Sequence, residues 1–313
     1  MTKKIAVIGG SGFLGSYVLR DLKDAGYTVS NLDNTRPAHA IEDWIEVDLR
    51  DLPQLTKALA GCDVVINLAA AHRDDVRPLS LYHDINVTGA ENLCRAMTEN
   101  AIKTCIFTSS VAVYGLNQDN PNEETPPRPF NPYGQTKWQA EQVYRVWAEQ
   151  DSAHALLMVR PTVIFGPNNR GNVYNLIAQI ARKRFIMVGN GRNKKSLAAV
   201  ENVSHFIVTM LQRGIQPGVV VYNYADKPDW DVKTLVDLIQ QRLGIAKTTL
   251  VLPYVLGYIA GGIFDVLARL TGRNFPISRV RIQKFCANTM FSADKLLATG
   301  FDPKKDLQTA LFE

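Results

Sequence analysis

The sequence predicts an α/β fold built on a doubly wound parallel sheet, and three observations support that prediction. Over the first 160 residues, six short apolar segments alternate with longer amphipathic ones. The apolar segments are nearly continuous, as strands are when both faces of a parallel sheet are covered. A glycine-rich loop joins the first apolar segment to the first amphipathic one. In such folds, ligands bind at the carboxyl ends of the strands.

The predicted elements follow one another in strand–helix order. Strands are expected at 4–10, 28–33, 44–49, 63–70, 103–110 and 155–161. Helices are expected between them at 12–26, 51–62, 80–100 and 133–150. Each strand segment is a short apolar run, whereas the helix segments are longer and amphipathic. Asp51 begins the second helix and Gly61 ends it, in agreement with capping preferences.

Beyond residue 161 the pattern loosens into a second, smaller lobe. Gly- and Asn-rich loops alternate there with helices expected at 173–184, 201–213 and 231–243. The apolar stretch 219–225 is predicted to be a strand that returns to the main sheet. We therefore expect a first domain at residues 1–165. Residues 166–313 are expected to form mainly a substrate-binding lobe that is interwoven with it.

Composition narrows the class of protein. The chain has 313 residues, 46% of them hydrophobic and 21% charged, which is typical of a globular protein with a packed core. Its net charge of +5 is spread over short basic clusters, so we expect an anionic small-molecule ligand and no nucleic-acid partner. The four cysteines form no close pair. They predict no metal site and buried thiols in a reducing, cytoplasmic compartment, and the N-terminus shows no signal-peptide pattern.

One apolar segment departs from this soluble pattern. Residues 250–264 contain no charged side chain. The segment is short for a bilayer span, and Pro253 and three glycines interrupt it. A buried or dimer-facing helix is the preferred interpretation. A helix that rests on the membrane surface is the alternative, so peripheral membrane contact stays open.

The glycine loop "GGSGFLG" places Gly9, Gly12 and Gly15 between the first strand and the first helix. The first glycine permits a tight turn, the second lets the backbone approach a pyrophosphate, and the third lets the helix pack closely on the sheet. The N–H groups at the helix start, where Phe13 and Leu14 lie, then face an anion. The loop therefore predicts a Rossmann-like, dinucleotide-binding domain.

The identity of the dinucleotide is indicated by Asp33, which closes the second strand eighteen residues after Gly15. A carboxylate at this position can accept hydrogen bonds from the adenosine ribose hydroxyls, and it would repel a 2′-phosphate. NAD is therefore the expected cofactor. Arg36 lies close enough to receive a phosphate, so NADP is not excluded.

A tyrosine and a lysine four residues apart open the helix expected at 133–150. Tyr133 and Lys137 would share one face of that helix. A free tyrosine has a pKa of about 10 and is a poor base at neutral pH. A neighbouring ammonium and the positive ring of an oxidised nicotinamide would both favour the phenolate. The pair thus suits proton transfer beside a bound cofactor.

Several motifs together resemble one family. They are "GGSGFLG", the Asp48-Leu49 pair, "NLAA" at 67–70, Asn86, "TSSVAVYG", "PYGQTK", "RPTVIFGP" at 160–167 and "YNYAD" at 222–226. In this order they resemble the extended short-chain dehydrogenases/reductases, and specifically their NAD-dependent nucleotide-sugar epimerase/dehydratase group. The resemblance covers most of the chain and implies an NAD(P)-dependent enzyme that binds a sugar nucleotide, commonly as a homodimer.

The resemblance also implies roles for individual residues. The catalytic residues would be Ser110, Tyr133 and Lys137. The cofactor would contact Gly9, Gly12, Phe13, Leu14, Gly15, Asp33, Asp48, Leu49, Leu68, Ala69, Ala70, Asn86, Tyr133, Lys137 and Pro161. The substrate would contact Asn172, which matches a position that contacts the substrate diphosphate, and Lys195, which stands where an arginine often binds phosphate. Arg281 is a candidate second phosphate ligand. Val163 replaces an asparagine that epimerases often have, so one expected polar contact is missing.

Three kinds of reaction stay open within this family. Dehydratases place an acidic pair beside the catalytic hydroxyl, and Val111 and Ala112 occupy that position here. The missing carboxylates argue against a dehydratase. A 4-epimerase with a 4-keto intermediate is preferred, and a 4-keto-sugar-nucleotide reductase is the alternative. The segment 250–264 also allows a membrane-associated enzyme similar to hydroxysteroid dehydrogenases. A non-catalytic NAD sensor is disfavoured, because it would not need Ser110, Tyr133 and Lys137 together.

Overall fold

The computed structural model describes residues 2–37, 43–73, 76–247, 250–272, 275 and 277–312. These residues form twelve strands: β1 Lys4–Ile8, β2 Thr28–Asp33, β3 Trp44–Glu46, β4 Val64–Asn67, β5 Thr104–Thr108, β6 Ala155–Pro161, β7 Val163–Phe165, β8 Met187–Val188, β9 Lys194–Ala199, β10 Gly218–Tyr224, β11 Asp226–Asp231 and β12 Val251–Leu252. They also form twelve α-helices: α1 Phe13–Asp24, α2 Leu52–Ala58, α3 Ser80–His83, α4 Gly89–Glu99, α5 Pro132–Glu149, α6 Asn172–Ala181, α7 Val200–Arg213, α8 Val232–Arg242, α9 Tyr254–Thr271, α10 Arg279–Cys286, α11 Asp294–Leu297 and α12 Leu307–Leu311.

Seven strands form one parallel sheet in the order β10-β6-β5-β4-β1-β2-β3. All residues of β4 and β6 are buried, as expected of parallel strands that are covered on both faces. The strand order reverses between β1 and β4, and open α/β sheets bind their ligands outside the carboxyl ends at such a point. The predicted Rossmann-like, doubly wound sheet is confirmed.

Helices cover both faces of this sheet. On one face α1 and α7 pack against it, with Leu19 and Phe206 in the shared core. On the other face α2, α4 and α5 enclose a second core, which contains Leu93 and Trp147. The strand ends are therefore held rigidly from both sides, and loops that follow them are well placed to carry a precise site.

The C-terminal half returns repeatedly to the first domain. Strand β10 pairs with β6 along its whole length, which confirms the predicted return of the segment 219–225. Helix α7 packs on α1, and Ala293, Leu296 and Phe301 join the same core. The remaining lobe has a core of its own and two small sheets, β11-β9-β7 and β12-β8. The sequence did not predict these sheets, because β9 and β11 carry charged residues that obscure a strand pattern.

Several predicted elements differ from the structure in extent: the strands expected at 4–10 and 63–70 end at Ile8 and Asn67, and the helix expected at 51–62 ends at Ala58. The helix expected at 80–100 is divided into α3, a π-helical turn at Asp84–Thr88, and α4. The third strand, expected at 44–49, ends at Glu46. The chain leaves the sheet there, and the Asp48 N–H donates to the Gln54 side chain instead of to a neighbouring strand.

The apolar segment 250–264 forms part of the 18-residue helix α9, which is mostly exposed. By length and composition α9 could cross a membrane. The preferred interpretation of a helix buried within the chain is wrong. The reason is that α9 contacts the rest of the protein mainly through Gly257, Gly261 and Gly262, while its large apolar side chains face outward. A dimer-facing role stays a prediction.

Candidate active site

The glycine loop forms a closely packed turn between β1 and α1. Gly9 has φ +78°, and a Cβ atom there would lie 2.7 Å from the Ala69 backbone nitrogen. At Gly15 a Cβ would lie 2.3 Å from the Gly9 carbonyl oxygen. Side chains at these positions would push α1 away from the sheet and β1 away from the loop after β4. The loop is thus a cradle at the start of α1 that only glycine allows.

The helix start in this cradle is suited to an anion. Gly12 is the N-cap of α1, and no described side chain caps the helix there. The first turn, which contains Phe13 and Leu14, carries no acidic residue. The first N–H groups of a helix lack intrahelical acceptors, and the helix dipole favours negative charge beside them. These features fit a pyrophosphate group.

Asp33 connects the second strand to the same loop. Its carboxylate accepts hydrogen bonds from the Ser11 N–H at 3.0 Å and from the Thr35 N–H at 2.9 Å. Arg36 is exposed, and its guanidinium lies 5.9 Å from the centroid of the Trp44 ring. The carboxylate therefore stands beside the cradle at the carboxyl end of β2, where a ribose would bind.

The other predicted cofactor residues line the neighbouring strand ends. Ala69 follows β4, donates its N–H to the Asn67 side chain at 3.0 Å, and packs against Gly9. Its neighbours Leu68 and Ala70 are partly buried.

The residues near the ends of β3 and β6 are placed differently. Leu49 is buried against Gly89, whereas Asp48 pairs with Arg50 at 2.5 Å. Pro161 is buried at the end of β6. Their contacts with a cofactor remain predictions.

Asn86 lies in the π-helical turn and is buried. Its side-chain oxygen accepts a hydrogen bond from the Ala71 N–H at 2.8 Å, and its amide donates to the Thr136 hydroxyl at 2.9 Å. The side chain thereby ties the loop after β4 to the first turns of α5. π-helical turns are frequent at functional sites. Thr136 was not identified from the sequence, because a threonine inside a helix gives no distinctive signal.

Ser110 and Tyr133 come together at the carboxyl end of β5. Ser110 caps the short 3₁₀ turn Val111–Tyr114 by accepting a hydrogen bond from the Ala112 N–H, and Tyr133 is the second residue of α5 beside this turn. The close approach depends on Gly134, where a Cβ would lie only 2.5 Å from the Ala112 carbonyl oxygen. Lys137 follows one turn later in α5 and is buried, with its ammonium 4.2 Å from the centroid of the Phe107 ring.

Burial shifts the pKa values of both titratable groups. Desolvation raises the pKa of the Tyr133 phenol, and the hydrogen bond with Ser110 opposes this shift. Desolvation also lowers the pKa of Lys137 to about 7, against the attraction of Glu141. The protein's own groups therefore keep the phenol protonated at neutral pH. The lower phenol pKa expected from the sequence requires additional positive charge, such as that of an oxidised nicotinamide.

A buried polar network supports the catalytic helix, and sequence reasoning missed it. Glu141, one turn after Lys137, accepts two hydrogen bonds from Arg160, at 2.8 and 2.6 Å, and one from the Ser109 hydroxyl at 2.5 Å. Arg160 also donates to the Tyr114 hydroxyl at 2.6 Å, and Tyr114 donates to Asn223 at 2.8 Å. The network fixes α5 to β5, β6 and β10. Its available signal was Arg160, a charge inside the apolar strand segment 155–161.

The three predicted substrate residues lie on separate elements. Asn172 is exposed as the first residue of α6. The Lys195 ammonium donates to the carbonyl oxygens of Lys284 and Ala287, and desolvation lowers its pKa to about 8. Arg281 donates to the carbonyl oxygen of Phe275. The two cationic side chains thus connect segments of the lobe, and their contact with a substrate diphosphate remains a prediction.

The site as a whole is that of a dinucleotide-dependent enzyme that moves a hydride and a proton. A glycine cradle, a strand-end carboxylate and a hydroxyl–phenol–ammonium set share one edge of the parallel sheet. The four cysteines are free, and no group of metal-ligating side chains occurs within the described part of the chain. The chain belongs to the NAD dependent epimerase/dehydratase family, whose model matches residues 5–224. NAD is therefore its cofactor.

Individual relatives agree with this assignment. The chain is 47% identical over 303 residues to an N-acetyl-alpha-D-glucosaminyl-diphospho-ditrans,octacis-undecaprenol 4-epimerase of Escherichia coli O157:H7, with 96% of this chain and 91% of the relative covered. It is 32% identical over 180 residues to the UDP-glucose 4-epimerase of Lactobacillus helveticus, with 54% of each chain covered. In fold it matches MoeE5 in complex with UDP-glucose and NAD, with a TM-score of 0.77, 20% identity, and 98% and 96% of the two chains covered.

Proposed function

We propose that the protein is an NAD-dependent 4-epimerase of a hexose that is attached to its carrier through a diphosphate. One observation carries the proposal: Tyr133 opens α5 beside the Ser110 turn, one helical turn before buried Lys137, at the same sheet edge as the glycine cradle. This arrangement can take a proton from a sugar hydroxyl and return it. Val111 and Ala112 follow Ser110, and the absence of carboxylates there argues against dehydration.

The proposed reaction is a reversible oxidation at C4. NAD, when bound, accepts the C4 hydride and gives it back. Tyr133 takes the proton of the C4 hydroxyl as the carbonyl forms, and Ser110 donates a hydrogen bond to the same oxygen. Lys137 stabilises the phenolate and holds the cofactor ribose. After the keto-sugar rotates in the site and exposes its other face, Tyr133 returns the proton to the C4 oxygen, which completes the inversion. Nothing is consumed overall.

Two carriers of the diphosphate have support. A polyprenol-linked sugar is the first candidate, because the relative that acts on such a substrate is 47% identical over nearly the whole chain. The exposed apolar helix α9 agrees with a lipid-borne substrate. A sugar nucleotide is the second candidate, because UDP-glucose 4-epimerases match the chain at 28–32% identity. Both carriers present a diphosphate to the lobe that contains Asn172 and Lys195.

The test is an assay with N-acetylglucosaminyl-diphospho-undecaprenol in detergent, UDP-N-acetylglucosamine and UDP-glucose, and in parallel with a UDP-4-keto-sugar plus NADH and with a hydroxysterol plus NAD. The sugar is released by mild acid, and its C4 configuration is read by chromatography and NMR. We expect the same gluco–galacto equilibrium from either epimer, without net change in NADH. A product formed in proportion to consumed NADH would instead establish a reductase. Turnover of sterols alone would overturn the substrate class.

We propose further that the enzyme acts in the cytoplasm as a homodimer. The four free thiols suit a reducing compartment, and three of them are buried, whereas Cys286 is only partly buried. Helices α4 and α5 pack side by side, and Val146 of α5 is exposed, which leaves an apolar position for a second copy. Light scattering after size-exclusion chromatography tests this interface. Val146→Glu is expected to give monomers, and monomeric wild-type protein would contradict the proposal.

A further inference from the structure

We propose that α9 and α10 together form a docking surface for an anionic phospholipid bilayer, with α9 lying along the membrane. The apolar stripe of α9 consists of Val255, Ile259, Ile263, Val266 and Leu270. These residues are spaced by four, four, three and four positions, so they share one face of the helix. All five are more than half exposed, and Leu270 reaches 77%. Contiguous exposed apolar surface of this kind marks an interaction site.

The opposite side of α9 is held against the protein. A Cβ at Gly257 would lie 2.7 Å from a Val188 methyl group, and one at Gly261 would lie 2.8 Å from the Arg279 nitrogen. Asp265 accepts a hydrogen bond from that same Arg279 N–H at 3.2 Å, so the one acid of the helix faces α10. A helix that spans a bilayer exposes its sides to lipid or to other spanning helices. Because one side of α9 is attached to α10 and β8, it can present only its outer face to a membrane.

The charges around the stripe favour an anionic surface. Residues 250–286 contain five basic side chains and one acidic one, and thus hold most of the chain's net charge of +5. The Arg279 guanidinium lies 5.4 Å from the centroid of the Tyr258 ring. Tyr258 precedes the stripe residue Ile259. A guanidinium beside an apolar helix face, with a tyrosine at its edge and a basic excess in the segment, matches the boundary between lipid headgroups and acyl chains.

The same charges argue against a second copy of the chain as the occupant. In a two-fold symmetric dimer, a surface patch meets the identical patch of its partner. Such pairing through α9 would bring together two copies of the segment 250–286, each with five basic side chains and one acidic one. An anionic bilayer neutralises these residues while it covers the apolar stripe.

The docking surface also lies next to the active-site elements. Lys284 in the last turn of α10 and Ala287 just after the helix supply the carbonyl oxygens that bind the Lys195 ammonium. The Lys284 ammonium lies 5.7 Å from the centroid of the Phe130 ring, and Phe130 precedes Tyr133 by three residues. A membrane that covers α9 would therefore approach the lobe predicted to bind the diphosphate. This position suits a substrate whose diphosphate lies at the headgroup level, although bilayer binding itself does not depend on the epimerase reaction.

The experiment is flotation of the purified, NAD-loaded protein with vesicles. We expect binding to phosphatidylglycerol–phosphatidylethanolamine vesicles, weaker binding to phosphatidylcholine vesicles, and loss of binding as salt is raised. Ile259→Glu/Ile263→Glu should weaken the partition coefficient about tenfold or more, because two charges would enter the acyl boundary. Leu297→Glu on α11 is the matched control, since Leu297 is as exposed as Ile259, and it should bind like wild type.

Activity and oligomeric state separate the possible outcomes. The milder double substitution Ile259→Ser/Ile263→Ser should also reduce vesicle binding. It tests the same surface if the glutamate variant fails to fold. Both variants should retain epimerisation of any substrate that is soluble or dispersed in detergent, so vesicle binding and catalysis can fail independently. Absence of wild-type binding to anionic vesicles would overturn the proposal. A wild-type dimer that the stripe substitutions convert to monomers, without vesicle binding, would show that a second copy covers the stripe.

Discussion

The base of the catalytic helix and the outer face of α9 are built in opposite ways. Beneath Tyr133 and Lys137, the charged pair Glu141–Arg160 is almost completely buried and fully engaged with neighbouring side chains. On α9, large apolar side chains are exposed instead. The first region is complete within the chain, so its geometry is preorganised for chemistry. The second region leaves apolar area in water, which indicates that its partner lies outside the chain.

The largest expected effect comes from removing the proton-transfer group. Tyr133→Phe should lower kcat by about 10³-fold or more, because the phenolic oxygen would carry the proton of the C4 hydroxyl. Cofactor binding and thermal stability should change little, since the ring is retained. NAD titration, kcat and Tm measure the three quantities. Tyr174→Phe, at an exposed position on α6, is the matched control. Full activity of the Tyr133 variant would exclude this residue from the mechanism.

Breaking the buried pair tests whether the first region is self-contained. Glu141→Gln would leave Arg160 buried without a counter-charge, which we expect to lower the free energy of unfolding by about 3–5 kcal/mol. Asp151→Asn removes the exposed pair with Lys103 and should lower the free energy of unfolding far less. Urea denaturation measures both variants. Equal effects of the two substitutions would contradict the distinction between buried and exposed pairs.

A third change tests the fit between α5 and the Ser110 turn. Gly134→Ala would place a methyl group 2.5 Å from the Ala112 carbonyl oxygen, so α5 must shift. We expect kcat to fall by about tenfold to a hundredfold through misplacement of Tyr133 relative to Ser110. Gly12→Ala is the comparison, because its Cβ would meet the Gly9 carbonyl at 3.2 Å and should affect NAD affinity more than kcat. Unchanged kinetics of the Gly134 variant would show that the turn tolerates movement.

The smallest expected effect is a pH dependence of stability. Folding lowers the pKa of Lys137 from 10.5 to about 7. At a pH between these two values, Lys137 is therefore protonated in the unfolded chain and neutral in the folded chain. The stability of the NAD-free protein relative to Lys137→Met should therefore rise with pH across this window, by up to about 1.4 kcal/mol per pH unit. Urea denaturation at pH 7.5 and pH 9 measures the difference. A difference that is constant or falls with pH would contradict the burial of this lysine.

The same contrast explains how much the sequence could predict. The strands of the main sheet were predictable because each is a short apolar run. The glycine cradle was predictable because glycines recur just after the end of a strand. The spacing of Tyr133 and Lys137 also sufficed, since both lie in one helix. The Glu141–Arg160 pair escaped prediction, because its partners are far apart in the chain and meet only in the fold. In α9 the apolar run was recognised, but an apolar run does not reveal which of its sides the protein covers.

The most direct test of the central claim follows the hydrogen at C4. A substrate that carries deuterium at C4 is epimerised with the NAD-loaded enzyme in ordinary water, and the product is examined by NMR and mass spectrometry. The account predicts that the deuterium stays at C4 of the inverted sugar, because the hydride leaves and returns within one site. Loss of the deuterium to solvent, or inversion at another carbon, would contradict it.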